Sequence, residues 1–275
     1  MALPGAFLLR GLTVALLLVP ALSAASAGPA VAAAPAGAPS KGRLVFSEQF
    51  RARDWGRSGA VWADRTSAYP DGVSDRGDAK LDRLQPAAMT VSGGMLHVTA
   101  SARSAHGAWQ TGLLTTEPWG AAGGDGFQVR TGDYALVRLR LPDRAGGGGH
   151  GAWPGVWTWR GGNEVDVLEW HSETPDILEF SNHTRKVPGY DYARSPLVGF
   201  GKWVEVGVRF GATDVSWYLG DGTHPLRLAF QDHKGVGAGW HAYLVANLSV
   251  SDQPGRVPSS THPITLAIDR IQVYR

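Results

Sequence analysis

Residues 163–171 read "NEVDVLEWH", and the pattern of that stretch decides how the chain folds. Val165, Val167 and Trp170 are apolar, so the segment alternates like a half-buried strand. Glu164 and Asp166 point to the other side. A strict period of two would send Glu169 into the core and leave Leu168 beside the acids. A β-bulge at Val167–Leu168 removes the conflict, because two residues then oppose one on the neighbouring strand and Glu169 returns to the acidic face. One strand thus carries Glu164, Asp166 and Glu169 on one face and core residues on the other. Neither Lys nor Arg occurs from Gly161 to Thr184. Three unpaired like charges on a strand are unfavourable unless something uses them.

The flanks fit a ligand-binding face. Upstream, in "GAWPGVWTW" (151–159), Trp153, Trp157 and Trp159 share one side by alternation. Sugar rings present apolar C–H faces that stack on indole, so Trp beside carboxylates suits a glycan cleft, Trp159 being the one of the three best explained as structural. Downstream, "HSETPD" reads as a turn, giving a hairpin of 163–171 with 177–184. That register places His183 opposite Asp166, within reach of the cluster or of a sugar hydroxyl. His171 also falls on the cleft side.

From residue 43 onward the same grammar repeats. "RLVFSEQF", "GGMLHVTASA", "DYALVRLRLP", "WVEVGVRF", "VSWYLG", "HAYLVANLSV" and "ITLAIDRIQVYR" read as short strands, and "PDRAGGGGHG", "YLGDGTHP" and "SDQPGRVPSS" as turns between them. There is no amphipathic helix and no internal repeat. Many short strands separated by turn signals predict an all-β sandwich or jelly roll. Residues 63–85 are polar and irregular and read as a long loop over one face.

Composition narrows the function classes. The 275 residues carry a formal charge of +2 without a dense Lys/Arg run, which argues against a nucleic-acid partner. With no Cys there are no disulfides, so stability rests on packing. At the start, Arg10 precedes the apolar run "GLTVALLLVPAL" and then "SAASA", a small-residue cleavage site. Residues 1–27 are expected to be a secretory signal peptide, 28–40 an Ala/Pro-rich linker and 41–275 the working domain. Such a protein is secreted, not held in a membrane. The sequons at Asn182 and Asn247 read as accidental.

The acid cluster has a definite chemistry. With one bulge between them, Glu164 and Glu169 stand about 13 Å apart at Cα. Side chains leaning together bring their carboxyls to about 5 to 5.5 Å, the separation used by retaining glycosidases. One carboxylate attacks the anomeric carbon while the other protonates the leaving oxygen. Asp166, between them, supplies negative field and a hydrogen bond, and such a cluster titrates as a unit.

"GAWPGVWTW" followed by "NEVDVLEWH" resembles the pattern of glycoside hydrolase family 16, a W-P-x-x-W strand leading to E-[IV]-D-[IV]-[LM]-E. Weaker matches, from "GRLVFSEQF" to "AIDRIQVYR", extend the resemblance over about residues 43 to 275. It implies a concanavalin A-like β-jelly roll with a concave glycan cleft, Glu164 as nucleophile, Asp166 as its helper and Glu169 as acid/base. The bulged form looks like the laminarinase, agarase and carrageenase side, so the expected activity is an endo-acting β-1,3-glucanase. Trp153, Trp157 and His183 are the expected substrate contacts, a polysaccharide the only partner, and a monomer the working state. No cofactor is implied for catalysis. The resemblance also implies a structural Ca²⁺ on the convex face, with Glu48 and Asp269 at the matching positions. Departures are Leu113 after Gly112, where the family often has Arg, Gln49 in the first strand, the loop 63–85 and the Gly run 146–149. Two other readings compete: the same mechanism on a galactan, agar or carrageenan, for which Arg160 and Arg185 would meet sulfate, and a jelly-roll lectin without hydrolysis.

Overall fold

Alternating side chains become strands almost everywhere the pattern appears. The structure is a computed structural model that describes residues 37–75, 79–144, 150–184 and 188–275. The expected signal peptide and most of the expected linker lie outside the described residues. Gly37 and Ala38 already bridge to Arg227 and Leu226, so backbone pairing begins ahead of residue 41.

The strands are, in chain order, β1 (Leu44–Glu48), β2 (Asp82–Leu84), β3 (Met89–Ser92), β4 (Met95–Ala100), β5 (Trp109–Thr111) and β6 (Leu113–Thr115). Then come β7 (Gln128–Arg130), β8 (Tyr134–Arg140), β9 (Ala152–Trp159), β10 (Val165–Glu169), β11 (Ile177–Asn182) and β12 (Gly189–Arg194). The last five are β13 (Trp203–Phe210), β14 (Val215–Gly220), β15 (Arg227–Asp232), β16 (His241–Val250) and β17 (Ile264–Tyr274). Two antiparallel sheets result, ordered β15-β14-β13-β8-β17-β4-β3 with β1 on β17, and β12-β11-β10-β9-β16-β6 with β7 on β16. This is the all-β jelly roll that the sequence predicts. Among the described residues no helix is long and apolar enough to cross a membrane.

The inner faces interlock into one core. Val165, Val167, Leu168 and Trp170 of the β10 region pack in the same buried cluster as Val206, Val208 and Phe210 of β13 and Trp217 of β14. Side chains of this size contribute roughly 1.5–3 kcal/mol each when fully buried. The bulge is where the alternation required it. Asp166 pairs with Trp157, Leu168 with Val156 and Glu169 with Gly155, so one extra β10 residue is taken up after Asp166. Val167 and Leu168 are consecutive in sequence and both fully buried.

A bulge leaves ladder groups in need of partners. Here the indole of Trp217, reaching from the opposite sheet, donates to the Asp166 carbonyl at 2.8 Å. The ring is itself fixed by stacking on Phe230 at 5.1 Å between centroids and by Phe180 at 6.0 Å. Both sequon asparagines are buried: Asn182 donates to Asp232 and to the Gly235 carbonyl, and Asn247 accepts from Trp157. Trp217→Phe keeps the ring and removes the donor, leaving a buried carbonyl unsatisfied. A loss of about 1–3 kcal/mol is expected, read as a lower urea midpoint at unchanged slope.

Candidate active site

Three carboxylates meet on the face of β10 that looks away from the core. Asp166 is only 3% exposed, while Glu164 and Glu169 are half-buried. The carboxyls of Glu164 and Asp166 lie close enough for each to act on the other's ionisation. Glu169 accepts from the Trp153 indole at 2.7 Å. His183 brings Nε2 to 3.2 Å from the Asp166 carboxylate.

The hairpin register differs from the expected one by two residues. Ser181, not His183, lies opposite Asp166, and the His183 amide bonds the Glu164 carbonyl at 2.9 Å. Glu169 faces Glu179, and the bulge takes up one further residue before Asp166 is reached. A shift of two keeps the face, so the His183 ring still reaches Asp166 diagonally.

Burial sets the protonation of the cluster. Desolvation, then the charges of Asp166 and Glu169, push the Glu164 pKa up to about 8, against a lowering pull from His183. Desolvation and Glu169 raise Asp166 well above the usual carboxylate range. Glu169 is raised by burial and by Glu179, but the Trp153 N–H and the Lys80 ammonium pull it back. The contact between the two carboxyls favours the proton on Glu164 and the charge on Asp166, and so close a pair titrates collectively.

The cavity around these groups measures about 210 Å³. Trp153, Trp157 and Trp159 line it from β9, Asn247 and Ser249 from β16, and Tyr69, Asp75 and Lys80 from the segment ahead of β2. A larger cavity of about 900 Å³ lies elsewhere, beside Arg43, Phe127, Arg130, Trp240 and His241. No Asp or Glu side chain lines it.

The expected stacking residues are already engaged. The Trp153 ring has the Lys80 ammonium at 5.0 Å from its centroid and the His171 ring at 4.8 Å. Trp157 is 8% exposed, packs with Tyr69, Leu84, Leu113 and Val245, and donates to Asn247. Trp159 donates to the Ser67 hydroxyl. His171 is buried beside Glu179, its pKa lowered to about 3 by desolvation and Arg256. It is therefore a neutral imidazole at ordinary pH.

Lys80 is the residue that strand grammar could not find, because it belongs to the irregular segment 63–85. It pairs with Asp75 at 3.0 Å. Burial alone would lower its pKa, but Asp75, Asp82 and Glu169 outweigh that and raise it, so the amine stays charged. Behind it Asp82 is fully buried, bonds the Tyr69 hydroxyl and the Val250 amide, and is lifted to about 6 by desolvation. The signal available in sequence was a lone Lys among Asp75, Asp78 and Asp82.

The proposed Ca²⁺ ligands are occupied by protein donors. Glu48 accepts from the amides of Gln49 and Phe50 and from the Trp62 indole. Asp269 lies between Arg138 at 3.0 Å and Arg270 at 2.7 Å. Two guanidinium groups offset the charge that would draw a hard cation, so in this arrangement the pair does not fit Ca²⁺. Among the described residues no group of three or more His, Asp or Glu side chains could hold a metal ion.

No family model matches the chain, and no curated protein sequence does. Solved structures do. The endo-β-1,3-glucanase of Pyrococcus furiosus superposes with a TM-score of 0.64 at 17% identity, over 84% of this chain and 94% of that one. The chain shares its fold. The laminarinase of Flavobacterium sp. UMI-01 gives 0.65 at 18% identity, over 85% and 100% of the two chains. The laminarinase catalytic domain of Thermotoga maritima MSB8 gives 0.64 at 20%, over 86% and 99%. At these identities the likeness speaks for the jelly roll, and the case for chemistry rests on the site.

Raised carboxyl pKa values link pH to stability with a definite sign. Between the ordinary glutamate range and about pH 8 the folded chain binds more protons than the unfolded one, so stability falls as pH rises through that window. Glu164→Gln removes the Glu164 share of that slope. The variant is expected to melt at a higher temperature than the wild type at pH 9 and to lose that advantage near pH 4. In a second test, Lys80→Met removes a cation that lowers the Glu169 pKa, so side-chain carboxyl NMR should show Glu169 titrating at higher pH.

Proposed function

We propose that the chain is a secreted, retaining β-glucan hydrolase whose main-chain substrate is a laminarin-type β-1,3-glucan. The observation that carries this reading is the bulge-built cluster of Glu164, Asp166 and Glu169 in a Trp-lined cavity. The names of the fold's solved relatives, β-1,3-glucanases and laminarinases, support the substrate class.

In the first step Glu164, in its ionised form, attacks the anomeric carbon. Glu169 gives its proton to the departing glycosidic oxygen, and a glycosyl ester forms on Glu164. In the second step Glu169, now a carboxylate, takes a proton from water, and the resulting oxygen displaces Glu164 from the same carbon. Two inversions give net retention. Burial serves both steps: it raises the Glu169 pKa, which favours the protonated acid that the first step uses, and it strengthens every charge interaction in the site. His183 orients Asp166 from the open side.

Neither competing reading gains support. Arg160 bonds His241 and does not line the acid cavity, and Arg185 lies outside the described residues. The surplus of carboxylates over the one Lys80 ammonium disfavours a sulfated chain. A lectin gains nothing from two buried acids with raised pKa. The acidic cavity also opposes nucleic acid as a partner, and a monomer is the proposed working state.

Purified protein should release reducing ends from laminarin or curdlan, with the β-anomer appearing first by proton NMR. Glu164→Ala should lose hydrolysis by a factor of about 10⁴ or more while keeping the fold. Hydrolysis persisting near wild-type rates in that variant would remove Glu164 as nucleophile, and release of the α-anomer first would remove the retaining mechanism.

A further inference from the structure

The cleft face of the acid-bearing sheet is unevenly covered. On β16 and β6, Val245, Asn247, Ser249, Leu113 and Thr115 face the cleft and are buried, whereas Tyr243 and His241 at the start of β16 are half-buried. What covers them is the pair of stretches 63–75 and 79–84. Ala63 bridges to Thr115, and Tyr69 packs on Leu113, Val245 and Trp157. Lys80 bridges to Ser251, and Leu81 bonds the Val250 carbonyl at 2.8 Å. Ser67 is pinned to Glu117 by both its amide and its hydroxyl. β2 then pairs in parallel with β5. These are tertiary bonds spread along the segment, so it is a fixed wall.

Among the described residues the opposite side is more open. On β11 and β12 the core face is set by Leu178, Phe180 and Asn182. Glu179 pairs with Tyr192 and Ser181 with Tyr190, so both tyrosines stand on the cleft face beside the acids. They are 55% and 52% exposed. The Tyr190 hydroxyl lies near Glu179, whose charge helps raise its pKa, and Glu179 in turn lies opposite Glu169. Two residues along a strand separate these rings by about 6.6 Å, close enough for one extended chain to lie across both.

Resting on the hydrolase reading above, we propose that the glycan enters over β11 and β12, stacks on a Tyr190–Tyr192 platform, and ends against the wall of Tyr69, Lys80, Trp157 and Trp159. The site then works from a chain end and releases a short product of fixed length, in place of cutting at random within the polymer. The cavity volume agrees. At about 210 Å³ it is smaller than the roughly 300–1,000 Å³ of ligand pockets, so few sugar units fit beyond the acids. Amphipathic rings with one apolar face and a hydroxyl suit a hydrated sugar surface.

The test sizes the products of the whole protein on laminarin and on β-1,3-oligosaccharides of graded length, at early conversion. One short product from the outset, with slow loss of viscosity, is the expected result. Tyr192→Ala should raise KM on long chains roughly tenfold with kcat nearly unchanged, and Tyr192→Phe should restore it. A broad ladder of intermediate sizes at early conversion overturns the chain-end proposal and leaves the hydrolase reading standing. Absence of hydrolysis on every β-glucan removes the hydrolase reading. In that event calorimetry with the same oligosaccharides decides the platform: binding weakened by Tyr192→Ala supports it, and binding that is absent or unaffected overturns it.

Discussion

One hydrogen bond stands under the whole site: the Trp217 indole donating to the Asp166 carbonyl across the sandwich. Without the bulge, β10 would present Leu168 to solvent and bury Glu169. With it, three carboxylates share a face, and both Val167 and Leu168 go to the core. A bulge is unstable wherever its freed backbone groups lack partners. Trp217 supplies one such partner, and its own position depends on Phe180 and Phe230. The geometry of the acid cluster on one sheet is thus tied to aromatic packing on the other. Substitutions in β14, remote from any substrate, act on the acids through this contact.

Much of this was legible in the chain. The alternation of 163–171 located the strand, and the misplaced Glu169 located the bulge. Both inferences need only the period of two and the rule that charge stays out of the core. Trp153, Trp157 and Trp159 were correctly assigned to one face by the same count. Their roles were not legible, because what covers a strand face comes from elsewhere in the chain. Tyr69 and Lys80 belong to an irregular segment whose path no local pattern fixes. β12, "GYDYAR", did not register as a strand because its outer face is polar and Gly189 weakens the apolar pattern. The register of His183 depended on a turn and a bulge together, and the two displaced it by two residues. For Glu48 and Asp269, sequence could place the carboxylates but not the indole and guanidinium donors that meet them.

Charge and shape in the cleft answer to the same segment. Residues 63–84 bring Lys80 over Trp153, where its ammonium faces Glu169 and is balanced by Asp75. They also pack Tyr69 in one cluster with Trp157. The wall that shortens the site is therefore the element that moderates its acid. Lengthening the cleft by trimming this segment would also strip away Lys80, whose ammonium lowers the Glu169 pKa, so reach and acidity are tuned together.

The buried asparagines bear on how the protein can be made. Asn182 and Asn247 sit in sequons, yet each amide is enclosed and hydrogen-bonded, the first to Asp232 and the second to Trp157. A folded chain shields both. A chain threaded unfolded into a compartment that attaches glycans to nascent polypeptide does not, and a sugar added there would have to occupy space that β11 and β16 fill with packed protein. Such a host would trap the chain in a form that can no longer close its sandwich. Export routes that leave asparagine unmodified are the ones this fold tolerates.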